Sequence, residues 1–166
     1  MADDAARVAA YTAAQQDLIA LNKLNCFSSA SRQNVLAFGR DGDDWAKGIL
    51  THLEKDAGNK AHFMKHSPDT GFSRQFRRSV TGQQAGYKSG DPAHSSMFHS
   101  NVDMLDAYTR GTGAYVPGGK NAFPLDMSRP IGAGFQINGG AFVYTDEAYI
   151  IFRNGSPYTF FPNIKP

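Results

Sequence analysis

The sequence predicts an α+β fold, with helices first and a small four-stranded antiparallel meander after them. Three observations carry this. Residues 4–24 are Ala-rich and hold no Gly or Pro, and helix-period apolar patterns continue to about residue 56. After Pro130 the period shortens to β-type runs. Those runs are separated by Asn-Gly and Asn-Gly-Gly turn signals. The 166 residues suit a single domain, with a helical part over about 4–110 and a sheet part over about 130–164.

The elements follow in order. In "DAARVAAYTAAQQDLIALNKL" the residues Ala6, Ala10, Leu18 and Leu21 recur at helical spacing. "SSASRQNVLAF" opens on capping serines and closes at Gly39, a second helix. "DGDDWAKGILTHLEKDAG" sets acids at its start and Gly58 at its end, with Trp45, Ile49, Leu50 and Leu53 on one stripe; a helix is expected near 43–56. "GFSRQFRRSV" reads as a short helix with Phe72, Phe76 and Val80 on one side and Arg74, Arg77 and Arg78 off it. "SNVDMLDAYTRG" is a helix capped by Ser100 or Asn101 and stopped by Gly111. The Gly- and Pro-rich stretch from Gly111 to Pro130 reads as a long loop. "IGAGFQINGG", "AFVYTDE", "AYIIFRNG" and "PYTFFPNI" are the four strands of the expected meander, with a tight turn at Asn154-Gly155.

Charge is unevenly placed. The whole chain is formally +2, yet the segment 60–90 holds six Lys and Arg against Asp69 alone. A basic block in a near-neutral chain suits a phosphate-contacting face, and Arg77 and Arg78 are its expected contacts. Cys26 is the single cysteine, which excludes an intrachain disulfide and a Cys-rich metal site. No run reaches membrane-spanning length, so no membrane segment is expected. The chain contains no phosphate-cradling Gly loop, no His-Glu-x-x-His and no Gly-x-Ser-x-Gly.

The five histidines are the strongest candidates for chemistry. His94 and His99, in "PAHSSMFHSN", lie just ahead of a predicted helix. Imidazole titrates near neutrality, so two of them at one phosphodiester can serve as base and acid. RNA cleavage by internal attack needs only such a pair, a cation for the phosphorane and a hydroxyl donor. Lys120, Arg110, Tyr158 and Thr159 are available for those parts, and no metal or cofactor is expected. His52, and His62 with His66, are competing choices; the latter pair has the i, i+4 spacing of a metal pair but no nearby carboxylate triad. A second reading makes Cys26, between two predicted helices, the nucleophile of an amidase or deamidase with His94 or His99 as base. A third is a non-catalytic binding module that uses the basic block and the aromatics as an interface.

The closing stretch "AYIIFRNGSPYTFFPNIKP" resembles the last hairpin of the EndoU-like endoribonucleases, and more loosely the final strands of the barnase–EndoU–colicin–RelE fold group. The resemblance covers that hairpin alone. It implies a helical part followed by a small antiparallel sheet, and a metal-independent ribonuclease. Many members of the group are toxin domains, so it also implies a secreted or delivered effector acting in the cytoplasm of a target cell. RNA would be its substrate and a cognate immunity protein its partner. Thr159 falls on the family's substrate-contacting Thr or Ser, and His94, His99 and Lys120 keep the family's order of two His and one Lys. Phe161 stands where the family has an active-site Tyr and cannot donate a hydrogen bond. Tyr158, one residue before Thr159, is expected on the opposite face of its strand.

Overall fold

The computed structural model describes residues 40–58, 60–82 and 92–164. The two helices expected ahead of Gly39, and Cys26 between them, lie outside the described residues. The described elements are helix α1 (Arg40–Ala57), helix α2 (Gly71–Thr81), strand β1 (Ser95–Phe98), helix α3 (Asn101–Ala114) and strands β2 (Ala122–Asp126), β3 (Gly132–Phe135), β4 (Phe142–Thr145), β5 (Glu147–Arg153) and β6 (Ser156–Pro162). Short 3₁₀ turns occupy Phe63–His66, Pro68–Thr70 and Ile137–Gly139.

Helix α1 has the expected acids, Asp41 and Asp43, in its first turn, and Lys55 in its last. It buries Ala46 and Leu50 completely. The Asp43 carboxylate then caps a different helix. It accepts from the Asn101 and Val102 amides at 2.8 and 3.2 Å and from Asn101 Nδ2 at 2.9 Å, which fixes the start of α3 against α1. Ser100 completes that cap by accepting from the Asp103 amide at 3.0 Å. Contrary to the expectation from sequence, Gly111 does not stop α3, which continues to Ala114. Gly111 serves close approach instead: a Cβ there would collide with the Ile150 side chain of β5.

The mixed α+β character is as expected, but the single four-stranded meander is not. The strands form two antiparallel three-stranded sheets, β1-β3-β4 and β2-β5-β6. The four expected strands are all present. They are divided because only Asp146 lies between β4 and β5, and the chain changes sheet at that residue instead of turning into a hairpin. Each sheet gains a strand from an unexpected place. Strand β1, "SSMF", is buried at all four positions and so lacks the alternation that marks a half-exposed strand. Strand β2 lies inside the Gly- and Pro-rich stretch read as loop, with Pro124 near its middle. Pro124 is tolerated because β2 is an edge strand.

The β5–β6 hairpin turns at Asn154 (φ 53°) and Gly155 (φ 80°), two successive positive φ values of a type I′ turn. One face of β6 meets the core, where the Phe160 ring lies 4.9 Å from Phe63 and 5.7 Å from Phe98 of β1. The two sheets meet along β1, β3 and β6. Gly132 of β3 makes that contact possible, since a Cβ there would collide with Pro162; Gly134 serves the close approach of β3 to β1 within one sheet, where a Cβ would collide with the Ser95 carbonyl. Among the described residues no helix is long and apolar enough to cross a membrane.

Glycines of opposite kind give opposite expectations. Gly134→Ala overpacks the β1–β3 contact and should lower stability by about 1–3 kcal/mol. Gly48 is exposed in the middle of α1, and an added Cβ would meet nothing within 4 Å. Its change to Ala should raise stability by about 0.5–1 kcal/mol. Urea denaturation of the two variants checks both signs.

Candidate active site

The basic segment folds as a 3₁₀ turn followed by α2, and both are held against β1. The anchor is Gln75, a fully buried polar residue on α2. Its Nε2 donates to Thr70 Oγ1 at 2.8 Å and to the Lys65 carbonyl at 3.3 Å, and its Oε1 accepts from Ser95 Oγ. Gln75 and Ser79 therefore face inward. Phe72, Phe76 and Val80, expected on one apolar side, lie on the flank of α2 and are nearly half exposed. The opposite flank carries Arg78 toward β1, with Nη1 at 3.5 Å from both the His94 carbonyl and Ser95 Oγ.

Arg78 lines a cavity of about 140 Å³ together with Lys65, His66, His94, Ser96, Thr159 and Phe161. That is below the roughly 300–1,000 Å³ of pockets that enclose a whole drug-sized ligand, and is nearer the scale of one phosphate group. Two cations, two imidazoles and two hydroxyls converge there, with no carboxylate among the described lining residues.

Each group is in a defined state. His66 is 4 % exposed, and its Nδ1 lies 2.8 Å from the Ser96 carbonyl. A carbonyl only accepts, so Nδ1 carries the proton and Nε2 holds a lone pair. Burial, reinforced by the Arg78 charge, pushes the His66 pKa well below its ordinary value and keeps the ring neutral. His94 has the opposite tautomer. Its Nδ1 accepts the Ile137 amide proton at 3.0 Å, so the ring proton resides on Nε2. Burial, with Arg78 repulsion adding to it, lowers the Lys65 ammonium to about 8. The Arg78 guanidinium is pushed down by burial, and it makes no ion pair among the described residues. Thr159, 6 % exposed, has a buried Oγ1 with no hydrogen-bond partner among the described residues. An orphaned buried hydroxyl costs about 1–3 kcal/mol unless something else meets it. Desolvated, mutually repelling cations beside such a hydroxyl form a cradle that an oxyanion would relieve.

Of the residues expected from sequence, the cavity unites His94, Thr159 and Arg78. His99 is exposed at the far end of β1, its ring 5.7 Å from Tyr144. Lys120 is exposed on the loop before β2 and does not line the cavity. Tyr158 projects to the other face of β6, 4.4 Å from the His62 ring and with Arg153 3.8 Å over its own ring. Arg77 is exposed on α2. Arg110 pairs with the buried Asp106 at 3.2 Å, a carboxylate that also holds Arg129 at 2.8 Å. From sequence, His66 ranks only as a competitor and Lys65 is not selected. The i, i+4 pairing of His62 with His66 presumes an α-helix, whereas the segment Phe63–His66 is 3₁₀, with a tighter turn. The two rings part: His62 packs on Tyr158, and His66 lies 5.2 Å from Phe161.

Comparison with protein-family models, with curated proteins and with solved structures finds no match to this chain.

An anion should bind this cavity with a defined pH dependence. Sulfate keeps its charge across the range and is the suitable probe. The ammonium form of Lys65 favours the anion, so affinity should be full below about pH 8. It should fall above that value, approaching tenfold per pH unit. Lys65→Gln should weaken binding at pH 7 and flatten the profile. Thr159→Val should weaken sulfate binding while raising the stability of the free protein by about 1 kcal/mol, since it removes the orphaned hydroxyl. Calorimetric titration between about pH 6.5 and 9.5 reads both, bracketing the Lys65 transition; a flat profile in the unmodified protein would contradict the assignment.

Proposed function

We propose that this chain is a ribonuclease-like domain that cleaves RNA by internal transfer without a metal. The observation that carries the reading is the cavity's set of side chains. A buried His with a base nitrogen, a Lys lowered to about 8, a half-buried Arg and an orphaned hydroxyl line one space. In the proposed reaction His66 Nε2 takes the proton of a ribose 2′-hydroxyl, and the 2′-oxygen bonds to phosphorus. The P–O5′ bond breaks as the Lys65 ammonium gives its proton to the leaving 5′-oxygen. The products are a 2′,3′-cyclic phosphate and a 5′-hydroxyl, and a second proton exchange with water resets the pair. Arg78 and Thr159 Oγ1 meet the charge that builds on the phosphorane oxygens, and His94 donates from Nε2. A Lys lowered to about 8 is still mainly protonated at neutral pH, and it releases its proton far more readily than an exposed ammonium.

The chemistry expected from sequence is kept, and the acid–base pair moves from His94 and His99 to His66 and Lys65. The toxin context and the immunity partner rest on the resemblance of the closing hairpin and belong to the same proposal. Phe161 lines the cavity without a hydroxyl, so selection of a base through that position would rely on ring contact.

Incubation of the purified protein with total RNA in excess EDTA tests the reading. Discrete fragments ending in cyclic phosphate are expected. His66→Ala and Lys65→Ala should each slow cleavage by about 10²–10⁴-fold. His99→Ala and Lys120→Ala should leave the rate nearly unchanged. Equal loss in the His99 variant would return the acid–base role to the other end of β1. No cleavage by the unmodified protein would remove the nuclease reading altogether.

A further inference from the structure

We propose that the free edge of β4 joins a second copy of this chain, making one continuous sheet across a two-fold axis. The observation is independent of the cavity chemistry. Among the described residues, six of the seven exposed large apolar side chains are Phe72, Phe76, Val80, Ile137, Phe142 and Tyr144. They form one face. Phe72 of α2 lies 5.2 Å from Phe142, Phe76 lies 5.2 Å from Phe135, and Phe142 lies 5.2 Å from Tyr144. An apolar face of this kind on a chain surface marks an interaction site.

The face borders an edge strand. Among the described residues, in the order β1-β3-β4, strand β4 has a neighbour on one side only. Edge strands are ordinarily protected by Lys, Pro, an inward charge or a bulge. Strand β4, four residues long, reads Phe-Val-Tyr-Thr, all of high β propensity, with no Lys, Pro, charge or bulge. Its pairing with β3 is regular throughout.

The sequence of the edge favours a second copy over an unrelated strand, because it is self-complementary. A two-fold axis perpendicular to the sheet keeps each side chain on its own face, so antiparallel partners must share a face. With the axis at Val143, Phe142 stands opposite Tyr144 of the second copy, Val143 opposite Val143, and Ala141 opposite Thr145. Aromatic residues then meet aromatic residues on the α2 face, and no charge is opposed to a like charge. Shifting the axis to Tyr144 would oppose Phe142 to Asp146. A groove of about 430 Å³, lined by Val143, Tyr144 and Thr145 with Pro130, Asp146, Glu147 and Asn163, opens beside the same strand. The helix α2 of each copy would lie on the same side, joining the two sets of Phe72, Phe76 and Val80. The His66 cavity, at the β1 and β6 side, would stay open.

Sedimentation velocity across a concentration series of the full chain tests this. The expected mass is twice the 18.1 kDa of one chain. Tyr144→Lys, at a position 65 % exposed and so tolerant of the change, should raise the dissociation constant on the order of 100-fold. The double change with Phe142→Lys should give a monomer, since like charges would then face each other across the strand pair. The thermal midpoint and circular dichroism of each variant confirm the fold, and the single variant decides if the double one unfolds. A monomeric unmodified protein would overturn the proposal and leave the face to a different strand-bearing partner or to another segment of this chain. A Tyr144→Lys protein as dimeric as the parent would also overturn it.

Discussion

Ser96 is bonded at two atoms, and the candidate site depends on both bonds. Its backbone carbonyl accepts the His66 Nδ1 proton at 2.8 Å. Its Oγ donates to the Pro162 carbonyl at 2.6 Å. One buried residue of β1 thereby holds the 3₁₀ turn on one side and the last strand on the other. These are the elements that carry His66 and Lys65, and Thr159 and Phe161. The first bond also selects the tautomer of His66, and with it the lone pair that the proposed chemistry needs. A substitution at Ser96 would remove the Oγ bond to Pro162, and with it one hold on the strand that carries Thr159 and Phe161, while the backbone carbonyl would still accept from His66.

The electrostatics of the cavity are unfavourable in themselves. Lys65 and Arg78 are both partly desolvated and repel one another, and the imidazole beside them is kept neutral by burial. Some cations elsewhere on the described surface meet carboxylates: Arg129 holds Asp103 and Asp106, and Lys47 holds Asp69 at 2.7 Å. The fold holds the repelling set through a neutral polar network centred on Gln75, which satisfies Thr70, Ser95 and the Lys65 carbonyl without introducing a negative charge. This division of labour, neutral amides for structure and desolvated cations for binding, is what distinguishes the cavity from an ordinary ion-pair cluster.

Much of the fold was legible in the sequence where the signal is local. Asn154-Gly155 between two apolar runs specifies its hairpin because both residues accept positive φ. The acids at its start and Gly58 at its end mark the ends of α1. The division into two sheets was not legible, because it rests on long-range pairings of β1 with β3 and β2 with β5. Strand β1 hides its period by being buried on both faces, and β2 hides inside loop-like composition. The site was legible in part for the same reason. His94, Arg78 and Thr159 were named from their chemistry. Lys65 and His66 gain their importance from burial, which arises only when the turn is pressed between α2, β1 and β6. The apolar flank of α2 misled in the same way: Phe72, Phe76 and Val80 have the spacing of a core stripe, yet the buried line is Gln75 and Ser79.

The central claim is that His66 is a buried neutral imidazole with its base nitrogen directed to an anion site. Side-chain ¹⁵N spectra followed through a pH titration test it most directly. His66 is expected in the Nδ1–H form, neutral to well below pH 6.5 in the free protein, with its pKa raised when sulfate is added. His94 should show the Nε2–H form in the same spectra. A His66 resonance that titrates near 6.5, carries its proton on Nε2 or ignores sulfate would contradict the claim.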